Sequence, residues 1–167
     1  MWRLRAKPGL ISSKRSEAMA VNVKPAGYHT LTPYLVVEGA GRLIEFLEEV
    51  FDATVQERLA APGNRIGHAQ LQIGDSIVML SDAGAEHTPM PAMLYVYVDD
   101  VDATFQRALA AGATQVQPPT DQFYGDRSGG VKDPCGNQWW IATHIEDVPP
   151  DELRRRAQQR MQQAARG

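Results

Sequence analysis

The chain has 167 residues, 43% hydrophobic and 22% charged, with a net charge of −3 at neutral pH. That length suits one domain able to bury a substantial core, and no apolar run approaches the roughly 18 residues a membrane helix needs. A single cysteine, Cys135, rules out an internal disulfide and a multi-cysteine zinc site. The first twenty residues hold Arg3, Arg5, Lys7, Lys14 and Arg15 against Glu17, which leaves −7 on the remainder. Such a balance argues against binding to a phosphate backbone. The N-terminal stretch lacks a signal peptide's apolar segment, so the expected compartment is the cytoplasm.

Residues 1–24 are expected to be a disordered extension, with Met19 a second candidate start. A first unit follows over residues 25–81. Strands are expected over 30–37, 54–59, 66–73 and 76–81, from their β-rich composition and the turn Gly74-Asp75. Between the first two strands, Leu43, Phe46, Leu47 and Val50 recur at helical spacing, with Glu45, Glu48 and Glu49 on the other side. Residues 82–91, with Gly84, Pro89 and Pro91, read as a linker.

A second unit over 92–144 repeats the first at an offset of 60 to 62 residues: Tyr34-Leu-Val-Val matches Tyr95-Val-Tyr-Val, and Asp52-Ala-Thr matches Gly112-Ala-Thr. Its helix carries Val101, Phe105, Ala108 and Leu109. Its strands are expected at 95–98, 114–117, 127–132 and 138–143, with 117–127 as a loop. Residues 145–167 read as a terminal helix, largely solvated, with Arg154, Arg155 and Arg156 on its polar face.

Asp133-Pro-Cys-Gly-Asn-Gln-Trp resembles the Asp-Pro-x-Gly signature of the vicinal-oxygen-chelate superfamily, which includes glyoxalases, bleomycin-resistance proteins and extradiol dioxygenases. Gly27-Tyr-His-Thr-Leu-Thr-Pro-Tyr, Asp121-Gln-Phe-Tyr-Gly-Asp-Arg and Ala142-Thr-His-Ile-Glu-Asp-Val are similar to its PhnB-like branch. The resemblance implies an α+β fold. Two βαβββ repeats would form a curved eight-stranded mixed sheet around a cavity, with helices on the convex side and an added C-terminal helix. In metal-dependent relatives, His, Gln or Glu ligands stand on the first and fourth strands of each repeat. Those positions map here to Thr32, Met79, Met93 and Trp140, none of which suits a divalent cation. No metal and no cofactor are therefore expected.

Strand alternation turns Thr30, Thr32, Tyr34, His68, Gln70, Ser81, Tyr95, Tyr97, Gln138, Trp140 and His144 toward the cavity. Aromatic and thioether groups dominate that lining, which suits a flat or apolar ligand held by stacking and a few hydrogen bonds. Tyr124 and Arg127 sit at the expected mouth, the ring for stacking and the guanidinium for an anionic group. The structural alternative pairs Arg127 with Asp126 or Asp133. His68 and His144 are the weak catalytic candidates, as groups that exchange protons near neutral pH. Cys135 reads as a turn residue, with no motif around it to activate a thiol.

Three functions remain open on the sequence. One is a small-molecule-binding protein, a homodimer without nucleic-acid or membrane partners. Another is a lyase, isomerase or dioxygenase of the glyoxalase class with a non-standard site, and the third is a dimerisation module.

Overall fold

A computed structural model describes residues 22–165. The first repeat runs β1 (Tyr34–Val37), α1 (Ala40–Phe51), β2 (Thr54–Ala61), β3 (Arg65–Ile73) and β4 (Ser76–Asp82). The second runs β5 (Met93–Tyr97), α2 (Val101–Ala110), β6 (Thr114–Asp121), β7 (Asp126–Lys132) and β8 (Gln138–His144), and α3 (Pro150–Ala164) ends the described chain. The α+β architecture of paired βαβββ units is the expected one. Its eight strands divide into two four-stranded sheets of matching order, β1-β4-β3-β2 and β5-β8-β7-β6. In each sheet the first strand pairs with the fourth in parallel and the remaining pairs are antiparallel. The expected N-terminal extension falls almost wholly outside the described residues.

The core forms where the apolar stripes of α1 and α2 meet one face of each sheet. Leu43, Phe46, Leu47 and Val50 of α1 are buried with Leu35, Leu71 and Leu80. Phe105 and Ala108 of α2 are buried in the same cluster as Val131, Trp139 and Ile141. Phe51 and Trp139 join the two halves with ring centroids 5.1 Å apart, and Arg107 donates from Nη2 to the Val50 carbonyl at 2.9 Å.

Each helix start is tied to the last strand of its own repeat. Asp82 Oδ1 accepts from the backbone N–H of Gly39 (3.0 Å) and Ala40 (2.8 Å), and its Oδ2 accepts from Ile66 (2.7 Å). Burial alone would push the Asp82 carboxyl up, but these three donors outweigh it and hold it below the usual carboxylate range. At the corresponding place in the second repeat, Thr143 Oγ1 accepts from Val101 N–H at 3.0 Å, and Asp100 caps Ala103 at 2.9 Å.

Two element boundaries correct the sequence reading. The first strand begins at Tyr34, four residues later than expected, because Pro33 has no N–H to give a ladder; only its carbonyl takes part, accepting from Met79 N–H at 2.9 Å. Conversely, β6 runs on to Asp121 through Pro118 and Pro119, where a loop was expected. It is an edge strand, so an outward-facing proline forfeits no ladder bond, and the pairing slips between Gln115 and Gln117 and again between Gln117 and Thr120. A bulge also re-aims β3. The pairing passes from Leu59 with His68 to Ala60 with Ile66, leaving Gly67 unpaired. Ile66 is thereby turned into the core while His68 and Gln70 stay on the opposite face.

Candidate functional site

The face of each sheet turned away from the helices carries its polar and aromatic side chains. In the second sheet the register sets Tyr95, Trp140 and Gly130 in one row, and Tyr97, Ala142 and Ser128 in the next. His144 and Asp126 form a third row. Two small residues make this face a pavement. A Cβ on Gly130 would stand 3.3 Å from Cε2 and Cζ2 of Trp140, so the indole lies over the glycine. The hydroxyls of Tyr95 and Tyr97 both donate to Asp126 Oδ2 at 3.0 Å. Since β8 lies between β5 and β7, both tyrosines must cross it, and they do so over Ala142, which is fully buried. Tyr124 joins them, its hydroxyl 3.5 Å from that of Tyr95.

Asp126, itself buried, is the hub of this group. Its Oδ1 lies 2.8 Å from His144 Nδ1, and His144 Nε2 lies 3.1 Å from Asp147 Oδ1. Burial taken alone would raise the Asp126 carboxyl. Hydrogen bonds from His144, Tyr97 and Tyr95 outweigh it and hold the group below the usual carboxylate range. His144 is shifted the other way, raised by its bonds to Asp126 and Asp147. Tyr95 is raised by burial and by its Tyr124 and Asp126 contacts, and Tyr97 chiefly by Asp126, so both stay neutral phenols that donate. The arrangement is a carboxylate–histidine pair capped by two phenols. A histidine with both ring nitrogens engaged by carboxylates holds its proton more firmly than a free one.

This pairing sets a pH window. Asp126 has a lowered folded pKa, so its contribution to stability is present above the unfolded value of about 4 and is lost as pH falls through the folded one. His144 has a raised folded pKa, so its contribution is complete below about 6.5 and fades as pH rises through the folded value. In an NMR titration His144 will therefore titrate above the ordinary histidine range, and Asp126→Asn will bring its midpoint down. An unchanged midpoint in the variant would mean that Asp126 is not what holds the proton.

On the first sheet the structure gathers a second polar group. Tyr34 Oη lies 3.3 Å from His68 Nδ1, His68 Nε2 lies 3.2 Å from Gln70 Nε2, and Gln70 Nε2 donates to Glu57 Oε2 at 2.8 Å. The Tyr28 hydroxyl donates to Gln70 Oε1. His68 and His144 thus stand on different sheets in separate networks.

Of the four positions to which the resemblance maps metal ligands, three lie on the strands it implies and Thr32 does not. Met79 pairs with Tyr34 and Trp140 with Tyr95, Met93 opens β5, and Thr32 precedes β1. Thioether and indole groups at three of these places do not fit a divalent cation. His144 offers no substitute, since its nitrogens are already bonded.

Arg127 stands apart from the aromatic group. Its guanidinium bonds Asp102 of α2 through Nε (2.7 Å) and Nη2 (2.8 Å), and Asp121 through Nη1 (2.8 Å). Asp102 and Asp121 replace the Asp126 or Asp133 partner that the structural alternative named. Alternation along β7 explains the difference: Asp126 faces the tyrosines, so Arg127 faces the helix. Cys135 is half-buried with its thiol pushed up by burial, an inert arrangement.

Asp126, Asp147, Glu57 and Tyr28 are the site residues the sequence reading missed. Asp126 was legible in principle, because it shares strand parity with Ser128 and Gly130 opposite Trp140.

The glyoxalase/bleomycin resistance protein/dioxygenase superfamily model matches residues 28–141. The chain belongs to this superfamily. Uncharacterized relatives of the superfamily member described here occur in Mycobacterium tuberculosis, 39% identical over 156 residues, covering 87% of this chain and 89% of the relative. Another, in Mycobacterium bovis, is 41% identical over 146 residues, covering 81% of this chain and 93% of the relative. Among solved structures, TioX from Micromonospora sp. ML1 is 33% identical with a TM-score of 0.60, covering 69% of this chain and 98% of that one. A PhnB protein from Bacillus cereus shares the fold at 22% identity and a TM-score of 0.56, covering 69% and 99%.

A cleft of about 730 Å³ runs along β5 and on to Val98, shares Tyr95 and Tyr97 with the pavement, and faces Ile73 to Val78 of the β3–β4 hairpin. It follows an open strand edge, since β5 ends its sheet. Leu31, Met90 and Met93 are exposed large apolar residues, Leu31 in the cleft lining and Met93 at the start of β5. Among the described residues no helix is long and apolar enough to cross a membrane.

Proposed function

We propose that this superfamily member is a metal-independent small-molecule-binding protein that holds a flat, partly aromatic ligand against the second sheet. The observation that carries this reading is the pavement itself: Tyr95, Tyr97, Tyr124 and Trp140 share one face, and Tyr95 and Tyr97 remain 42% and 63% exposed although Asp126 fixes their hydroxyls. Rings pinned at their tips keep their faces in place, so stacking costs little side-chain entropy. Asp126 and His144 act as the scaffold of that surface. Tyr34, His68 and Gln70 supply a smaller polar counterpart on the first sheet.

The working form in this proposal is a homodimer. The open β5 edge and the apolar residues beside it are surfaces that a second copy would cover, as exposed strand edges require. Cytoplasmic residence is part of the same proposal, in keeping with the lone cysteine.

The test is ligand binding by chelator-washed protein, followed by fluorescence quenching with neutral polycyclic aromatics, alongside native mass spectrometry. Binding is expected to survive chelation and to weaken about ten-fold in Tyr97→Ala, the loss of one stacking ring. Dimeric mass is expected throughout. Stoichiometric metal whose removal abolishes binding would replace this reading with a metal-dependent enzyme.

A further inference from the structure

The cleft beside β5 is acidic. Its lining holds four carboxylates, those of Asp52, Asp75, Asp99 and Asp100, against the guanidinium of Arg107 and the ring of His29. Both basic groups are already engaged. Arg107 Nη2 donates to the Val50 carbonyl at 2.9 Å and stands 3.9 Å from Asp52, while His29 Nε2 lies 3.0 Å from the Asp75 carbonyl oxygen. Asp100 is occupied as the cap of α2, whereas Asp99 is exposed and carries no side-chain hydrogen bond among the described residues. A cleft lined by one sign of charge concentrates ions of the other.

The aromatic wall favours the same sign. Tyr95 and Tyr97 line this cleft, with ring centroids 5.3 Å apart and planes inclined at 58°. Both hydroxyls donate to Asp126 Oδ2 at 3.0 Å, which draws positive charge toward the carboxylate and leaves the rings electron-rich. The face of such a ring attracts a cation. His144 adds a basic group beside Asp126, but it stands between the carboxylates of Asp126 and Asp147, so even its protonated ring leaves that group with an excess of negative charge. Arg127, on the opposite face of β7, is likewise matched by two carboxylates. Nothing has to be displaced to reach the rings, since both are exposed as they stand.

We propose that the acidic cleft and the two tyrosine faces it shares select planar aromatic cations, compounds whose positive charge is spread over a ring. The inference rests on the aromatic-binding reading above and names the ligand class within it. Delocalised charge suits the site because it is weakly hydrated, so it is stripped of water at less cost than a compact ammonium. An anionic aromatic is repelled by the same carboxylates.

The matched probes are 1-methylquinolinium and 1-methylnaphthalene, which share one shape and differ by a positively charged ring nitrogen in place of a carbon. Their binding to the full chain is measured by equilibrium dialysis in sealed cells, at low ionic strength and constant cosolvent. The wild type is expected to bind the quinolinium about five-fold more tightly. A site that recognised only apolar surface would give the reverse order, because the naphthalene leaves water more readily. Asp99→Asn, a neutral and isosteric change at an exposed position, is expected to lower quinolinium affinity about two-fold and leave the naphthalene unchanged. Tyr97→Leu keeps apolar bulk without a π face and is expected to bring the preference close to one. Equal or tighter binding of the naphthalene by the wild type, or a preference unchanged in either variant, overturns the charge assignment while aromatic binding stands. Failure of both probes to bind overturns the aromatic reading and this inference with it.

Discussion

Gly125→Ala is expected to cost about 3–5 kcal/mol, the size of a severe backbone clash. A Cβ at that position would stand 2.1 Å from the Glu146 carbonyl oxygen and 3.1 Å from a Val148 methyl. Neither a rotamer change nor a small side-chain shift relieves a contact with backbone. The glycine also has φ of +99°, a conformation that L-residues rarely adopt. Its carbonyl accepts from the backbone N–H of Ile145 (2.9 Å) and Glu146 (3.0 Å), which fastens the 122–125 turn to the segment following β8. That segment carries Asp147 to His144, and the turn carries Tyr124 to Tyr95. Pushing the two strands of chain apart therefore loosens both ends of the tyrosine–aspartate–histidine group. Arg156 reinforces the same junction from α3, bonding Glu146 at 2.7 and 2.8 Å and reaching the Phe123 carbonyl at 3.5 Å. The thermal midpoint is expected to fall by roughly 10 °C, with loss of aromatic-ligand binding in whatever fraction remains folded. A midpoint within about 2 °C of wild type would show that this junction is not under the constraint the geometry implies.

The residues that made the fold legible are those whose physics is local or periodic. Leu43, Phe46, Leu47 and Val50 announce α1 by spacing alone, and the offset between Tyr34-Leu-Val-Val and Tyr95-Val-Tyr-Val announces the second unit. Parity along β5 and β8 was enough to bring Tyr95, Tyr97, Trp140 and His144 to one face. What parity does not convey is reach across strands. Asp126 had no distinguishing neighbour in sequence, and its role comes from two tyrosines that cross β8 because position 142 is an alanine. Arg127 illustrates the same limit from the other face. The sequence left it between a ligand contact and an ion pair with Asp126 or Asp133, and the partners it takes, Asp102 and Asp121, lie 25 and 6 residues away on the helix side. Both outcomes turn on long-range pairing, which a single sequence does not display. The bulge at Gly67 is a third example, since the extra residue reverses parity for everything before it in β3.

Asp133→Asn is expected to destabilise the fold by about 3 kcal/mol, although the side chain changes by one atom. Asp133 is buried, and each of its oxygens accepts two bonds. Oδ1 takes the backbone N–H of Cys135 (2.8 Å) and of Asn137 (3.0 Å), while Oδ2 takes Asn137 Nδ2 and Trp139 Nε1, both at 2.8 Å. An asparagine has one acceptor oxygen. Whichever way the amide is turned, its NH₂ faces two donors, either the pair of backbone N–H groups or the pair of side-chain ones. Those donors are withdrawn from water: Asn137 and Trp139 are both essentially fully buried. The loss spreads further, because Asn137 Oδ1 accepts from Ala92 N–H at 3.2 Å and so ties the turn to the residue preceding β5. This is the physical content of the Asp-Pro-Cys-Gly-Asn sequence in this chain. The aspartate closes the β7–β8 turn, Gly136 supplies φ of +97°, and Trp139 is fixed in the core so that Trp140 must face the pavement. Unfolding in urea is expected to show a lower midpoint with an unchanged slope, since the same surface is exposed on unfolding. Asp133→Asn should also weaken ligand binding less than it weakens stability, because no atom of Asp133 reaches the aromatic face. Wild-type stability in the variant would mean that the turn tolerates an unpaired buried donor pair. In that case the signature would need an explanation other than the hydrogen bonds it makes.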